Sequence, residues 1–95
     1  MQYVVHAYDF KQPNALEHRM EVRPQHLDGV RLLKERGQFI LGGALLDHEG
    51  RMVGSMMIVQ FDSPGELKEW LEREPYIVEK VWEHYDIHPF REAIV

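Results

Sequence analysis

Two runs, Tyr3–Tyr8 and Met52–Phe61, are substantially apolar on both of their alternating faces, and that property narrows what this chain can fold into. Successive side chains of a strand point to opposite sides of its sheet. In the first run Tyr3, Val5 and Ala7 fall on one side, with Val4, His6 and Tyr8 on the other; in the second, Met57, Val59 and Phe61 alternate with Met56 and Ile58. A sheet that rests on a core and leaves its other face in water keeps that face mostly polar. The pattern therefore predicts helices on one face and a second cover on the other. A copy of the same chain is the simplest closed solution, giving a homodimer that larger assemblies could extend.

The remaining elements follow from punctuation. Pro13-Asn14 is turn chemistry after the first strand, and Ala15–Met20 reads as a short helix. Pro24 has no N–H and pushes Arg23 towards an extended conformation, so the main helix is expected to start afresh at Pro24. It carries Leu27, Val30, Leu33 and Leu32 towards one face and ends at Gly37. Phe39–Leu46 is a second strand, Asp47-His48-Glu49-Gly50 a hairpin connection, and Met52–Phe61 a third strand. Ser63 is placed to cap the next helix, with Glu66 three residues on for a capping box. That helix buries Leu67, Trp70 and Leu71 and halts before Pro75; a helical turn over Ile77–Trp82 leads to a last strand from His84 to about Glu92. The order β-α-β-β-α-β is that of an α+β ferredoxin-like sandwich, one antiparallel sheet with both helices on one face.

Ninety-five residues make a single domain, 1–95. The formal net charge of −5 repels phosphate backbones and argues against a nucleic-acid partner. Without cysteine there are no disulfides or thiolate metal sites, which fits a reducing compartment. No apolar run approaches the roughly 20 residues that span a bilayer, and Met1-Gln2-Tyr3-Val4-Val5 has no basic flank or cleavable apolar segment. The expectation is a soluble cytoplasmic protein with no membrane partner.

Chemistry concentrates in Arg23-Pro24-Gln25-His26-Leu27 and in Glu74-Pro75-Tyr76. An imidazole can give or take a proton near neutral pH. A carboxylate on one ring nitrogen fixes the tautomer and raises the basicity of the other, the orienting half of a triad without its nucleophile. The plain alternative makes His26 a structural histidine, Glu74 a solvated charge at a helix end and Tyr76 a packing residue. Arg19 and Arg23 can grip a carboxylate by their planar forks. They share a helix face only if the helix runs through Pro24; otherwise one of them pairs with Glu17 or Glu21.

Gly42-Gly43 and Gly54-Ser55 mark places where a ligand could approach the backbone. His84, Asp86 and His88 point to one side of the last strand, with His6 on its neighbour. Alternate strand positions lie nearly 7 Å apart, too far to share a zinc at about 2.1 Å without reorientation, so interface or surface histidines are the better reading. No metal and no cofactor are expected: no glycine-rich stretch leads into Lys-Ser or Lys-Thr at a helix start.

With Arg19, Arg23-Pro24-Gln25-His26-Leu27, the 42–43 glycine pair, Gly54-Ser55, Glu74-Pro75-Tyr76 and Pro89-Phe90 in this order, the chain resembles the YCII-related (YciI-like) family over essentially its whole length. The resemblance implies a ferredoxin-like fold of the dimeric α/β-barrel type and a site built from a histidine and an aspartate. Carried over, the histidine is His26 and the acid falls at Glu74, where the family usually has aspartate; the extra methylene shifts the carboxylate by ~1.5 Å, comparable to misplacements that cost about 10²-fold. Some family members eliminate HCl from chlorinated muconolactones or hydroxyquinones. The implied function is a cofactor-free enzyme, dehydrochlorinase- or lactone-isomerase-like. His26 would abstract a proton, Glu74 would orient it, and Arg19, Arg23, Ser55 and Tyr76 would bind a small polar or carboxylated molecule. The alternative is a non-catalytic ligand-binding or regulatory module that keeps the same cleft.

Overall fold

A computed structural model describes all 95 residues. The elements are β1 (Gln2–Asp9), α1 (Ala15–Glu35), β2 (Phe39–Leu46), β3 (Met52–Gln60), α2 (Pro64–Glu72), α3 (Pro75–Val78) and β4 (Trp82–Phe90). The strands form one antiparallel sheet in the order β2-β3-β1-β4, the ferredoxin-like arrangement expected from the element order. Val5 stands at its centre, opposite Met57 on β3 and Ile87 on β4.

The alternation in β1 falls as expected. Tyr3, Val5 and Ala7 are buried in the core with Met57, Val59, Leu33, Leu67, Leu71 and Trp82, whereas Val4 and His6 are half-buried and Tyr8 is exposed. On the other face Val4 pairs with Ile58 and His6 with Met56, so β1 and β3 together carry an apolar strip that no helix covers. No helix is long and apolar enough to cross a membrane.

The expected break at Pro24 does not occur: α1 runs unbroken from Ala15 to Glu35. Proline in a helix removes one hydrogen bond and crowds the preceding turn, typically costing about 3 kcal/mol. Here Pro24 and Met20, whose carbonyl loses its helical partner, both lie on the exposed side, where water can serve that carbonyl. The buried side, Arg19, Val22, His26 and Leu33, holds the helix together across the proline. Gly37 ends it as expected, with φ of 72° and its N–H bonded to the Lys34 carbonyl. Leu32 departs from the expectation and is 46% exposed.

Ser63 caps α2 by accepting from the Glu66 N–H at 3.2 Å, but Glu66 reaches back to the Asp62 N–H rather than that of Ser63. The helical turn expected over Ile77–Trp82 sits earlier, at Pro75–Val78, and β4 begins at Trp82. Lys80 makes the reversal with φ of 58°.

Candidate active site

Because α1 continues through Pro24, Arg19, Arg23 and His26 are stacked on one helical face at intervals of four and three residues. Glu74 ends the loop after α2 and caps α3, its Oε1 accepting from the Tyr76 N–H at 3.2 Å. The structure brings His26 and Glu74 together across 48 residues: His26 Nδ1 lies 2.5 Å from Glu74 Oε1. Both are buried, at 8% and 1% exposure. The extra methylene of glutamate therefore still permits a direct bond. An ionised carboxylate can only accept, so Nδ1 carries the proton and Nε2 of the neutral ring is left with a lone pair. The Tyr76 ring stacks on the imidazole, with centroids 4.1 Å apart and planes 14° from parallel.

Arg19 is tied into the protein. Its Nη1 donates to Asp9 Oδ1 and Oδ2 at 2.9 and 3.1 Å, and its Nη2 donates to Ser55 Oγ at 2.8 Å. Trp82 Nε1 donates to the same Ser55 oxygen at 3.3 Å. The Arg19 guanidinium also lies 4.7 Å from the Tyr76 ring centre, within cation–π range. Burial raises the Asp9 carboxyl above its ordinary value, while the charge and hydrogen bonds of Arg19 oppose that rise. A buried charge left alone is costly, so this pair holds as a unit.

Arg23 is different. It is half-buried, makes no ion pair within the chain, and lines a cavity of about 90 Å³ together with Arg19, His26, Ser55 and Tyr76. That space admits several waters or one edge of a larger molecule. Tyr76 is fully buried and its hydroxyl has no partner. Burial pushes the Tyr76 phenol above its ordinary 10.0, against the pull of Arg19 and Arg23. A larger cavity of about 310 Å³ opens beside Leu16 and Met52, but no imidazole reaches it.

The glycines divide. Gly42 lines the cavity, and a Cβ there would come within 3.0 Å of the Phe39 ring and the Met56 carbonyl. Gly54 is not a ligand approach: its missing Cβ makes room for the Ala7 carbonyl of the adjoining strand, which a side chain would meet at 2.4 Å. The histidines of β1 and β4 lie on the open sheet face, where His6 opposes Asp86 and the Tyr8 ring stacks on His84 with centroids 5.1 Å apart. They form no group of three or more ligands placed to hold a metal.

Two members of this constellation escaped the sequence reading. Asp9 looked like the residue that stops the first strand, yet it continues the buried parity of Tyr3, Val5 and Ala7 and so faces the site. That parity was the available signal. Trp82 opens β4 rather than closing a helical turn, and its indole therefore faces Ser55.

The sequence model of the YCII-related domain family matches residues 1–91 of the chain. Protein YciI of Escherichia coli O6:H1 is 31% identical over 99 residues, covering 98% of this chain and 99% of that protein. An uncharacterized protein of Haemophilus influenzae is 33% identical over the same shares. Among solved structures, the chain is similar to the 5-chloro-2-hydroxyhydroquinone dehydrochlorinase TftG of Burkholderia phenoliruptrix AC1100 in complex with 2,5-dihydroxybenzoquinone. The TM-score is 0.84 at 20% identity, covering 98% of this chain and 96% of that one, a likeness of fold. By the match along nearly its whole length, the chain belongs to the YCII-related family.

Proposed function

We propose that this protein is a small-molecule enzyme of the proton-abstraction and elimination type, with His26 as the base and Glu74 as the group that orients it. The observation that carries the reading is the 2.5 Å contact between His26 Nδ1 and Glu74 Oε1, made by a histidine that lines a cavity together with the unpaired Arg23. General acid–base help from such a pair is worth on the order of 10²–10⁴-fold in rate. Arg23 supplies the charge for an anionic oxygen or carboxylate of the substrate. Arg19, already bonded to Asp9 and Ser55, shapes the wall against which that group rests.

The fold shared with a dehydrochlorinase makes 5-chloro-2-hydroxyhydroquinone the first compound to try, followed by the chloromuconolactones that the family resemblance implies. Chloride release is measured for the wild type and for His26→Gln. The reading expects turnover in the former and a loss of about 10²-fold or more in the latter; wild-type rates in His26→Gln would remove the base.

A non-catalytic binding module is the second reading, favoured by the glutamate at position 74, where the resemblance to the family implies an aspartate. Thermal-shift titration separates the two, since a ligand at 100 times its Kd adds about 2.7 kcal/mol whether or not it reacts. Stabilisation by small carboxylates with no turnover across the panel selects the module. In either case we propose a cytoplasmic homodimer, joined through the open sheet face around Val4, His6, Met56 and Ile58. Sedimentation at micromolar concentration checks the assembly.

A further inference from the structure

The side chains around the cavity are lopsided in hydrogen-bonding sense. With Nδ1 bonded to Glu74, the neutral His26 ring presents Nε2 as their one acceptor nitrogen, and the other polar side chains there, Arg19, Arg23, Ser55 and Tyr76, can all donate. Arg23 offers a guanidinium with no partner in the chain. Ser55 Oγ already accepts from Arg19 and from Trp82, so what it has left is its own O–H. Tyr76 Oη is buried without any partner, although buried hydroxyls are nearly always bonded. Such a hydroxyl disfavours the folded state unless something from outside completes it. A pocket with several donors and one base calls for a ligand edge rich in acceptor oxygens and bearing one removable proton.

We propose that Tyr76 donates its hydroxyl hydrogen to an oxyanion that forms on the ligand, and that the ligand class is a carbonyl compound with an acidic C–H beside the carbonyl, reacting through its enolate. This rests on His26 acting as the base. His26 Nε2 takes the proton from that carbon. The C–H electron pair becomes a carbon–carbon π bond, and the carbonyl π pair moves onto oxygen, where Tyr76 and Arg23 hold it. If chlorine stands on the next carbon, the oxygen pair re-forms the carbonyl, the enolate π pair shifts to make the new double bond, and chloride leaves with its bonding pair. The proton on His26 passes to water. No oxidant or reductant is needed. The phenol suits this role because it is protonated at neutral pH, so it donates to the oxyanion rather than repelling it.

The test uses 2,5-dihydroxybenzoquinone, a coloured oxyanion, as probe for wild type and Tyr76→Phe, with Tm of both free proteins measured alongside. The proposal expects Tyr76→Phe to keep or raise the free protein's Tm, because it deletes an unpaired buried hydroxyl, while probe affinity falls about 10-fold or more. A purely packing role for Tyr76 predicts unchanged affinity, and that result overturns the proposal. Should Tyr76→Phe fail to fold, 3-fluorotyrosine at the same position, a stronger donor, is expected to tighten probe binding; unchanged affinity overturns the proposal equally. The two levels separate cleanly. If Tyr76→Phe loses the probe while His26→Gln retains full turnover, the oxyanion donor stands and the base assignment falls. A wild type that does not bind the probe contradicts both.

Discussion

Arg19 and Arg23 stand one turn apart on the same helix face, and only Arg19 has its charge answered within the chain. Asp9 and Ser55 hold Arg19, while Arg23 lines the cavity beside His26 unpaired. The two substitutions should therefore fail in opposite ways. Arg23→Gln is expected to change stability by no more than about 0.5 kcal/mol and to weaken binding of 2,5-dihydroxybenzoquinone by about 10-fold or more. Arg19→Met strands the Asp9 carboxylate and is expected to cost about 3–5 kcal/mol in urea unfolding.

The phenol of Tyr76 gives a pH signature. Its folded value lies above 10.0, because burial opposes ionisation more than Arg19 and Arg23 favour it. The native state then holds a proton that the unfolded chain has already released. This contribution to stability is fully present below about pH 10 and is lost as pH rises through the raised folded value. The Tm difference between wild type and Tyr76→Phe should hold steady up to about pH 10 and change only above it, as followed by thermal melts from pH 8 to 11.

The glycines at 43 and 54 supply a matched pair. A Cβ at Gly54 would sit 2.4 Å from the Ala7 carbonyl, forcing β1 and β3 apart, whereas one at Gly43 meets nothing within 4 Å. Gly54→Ala is expected to cost at least about 1–3 kcal/mol and Gly43→Ala to stay within about 0.5 kcal/mol, both read from denaturant midpoints.

Pro24 stands inside a continuous helix with its N–H missing. Pro24→Ala restores a donor to the Met20 carbonyl, and a stability gain of about 1–3 kcal/mol is expected. Circular-dichroism melts check it, and probe binding should survive, since Arg23 and His26 keep their places on the helix.

Much of the fold was legible because hydrophobic parity and turn residues are local signals. Tyr3, Val5 and Ala7 declared the buried side of β1, and Gly37 marked the end of α1. The error at Pro24 shows where local rules stop: the preference of one residue lost to the burial of Arg19, Val22 and His26 on the far side of the helix. The candidate site was half legible. Arg23-Pro24-Gln25-His26 and Glu74-Pro75-Tyr76 marked the residues, but spacing could not show that Arg19 answers Asp9, because their meeting depends on how α1 lies across β1 and β3.

The central claim is that Glu74 holds the Nδ1–H of His26 and so leaves Nε2 with a lone pair in the cavity. Two-bond proton–nitrogen NMR of the imidazole in the ligand-free protein, above the pH at which the ring deprotonates, reads this directly. The account predicts a single tautomer protonated at Nδ1, which gives way to a mixture or to the other tautomer in Glu74→Ala. A wild-type ring protonated at Nε2 would contradict it.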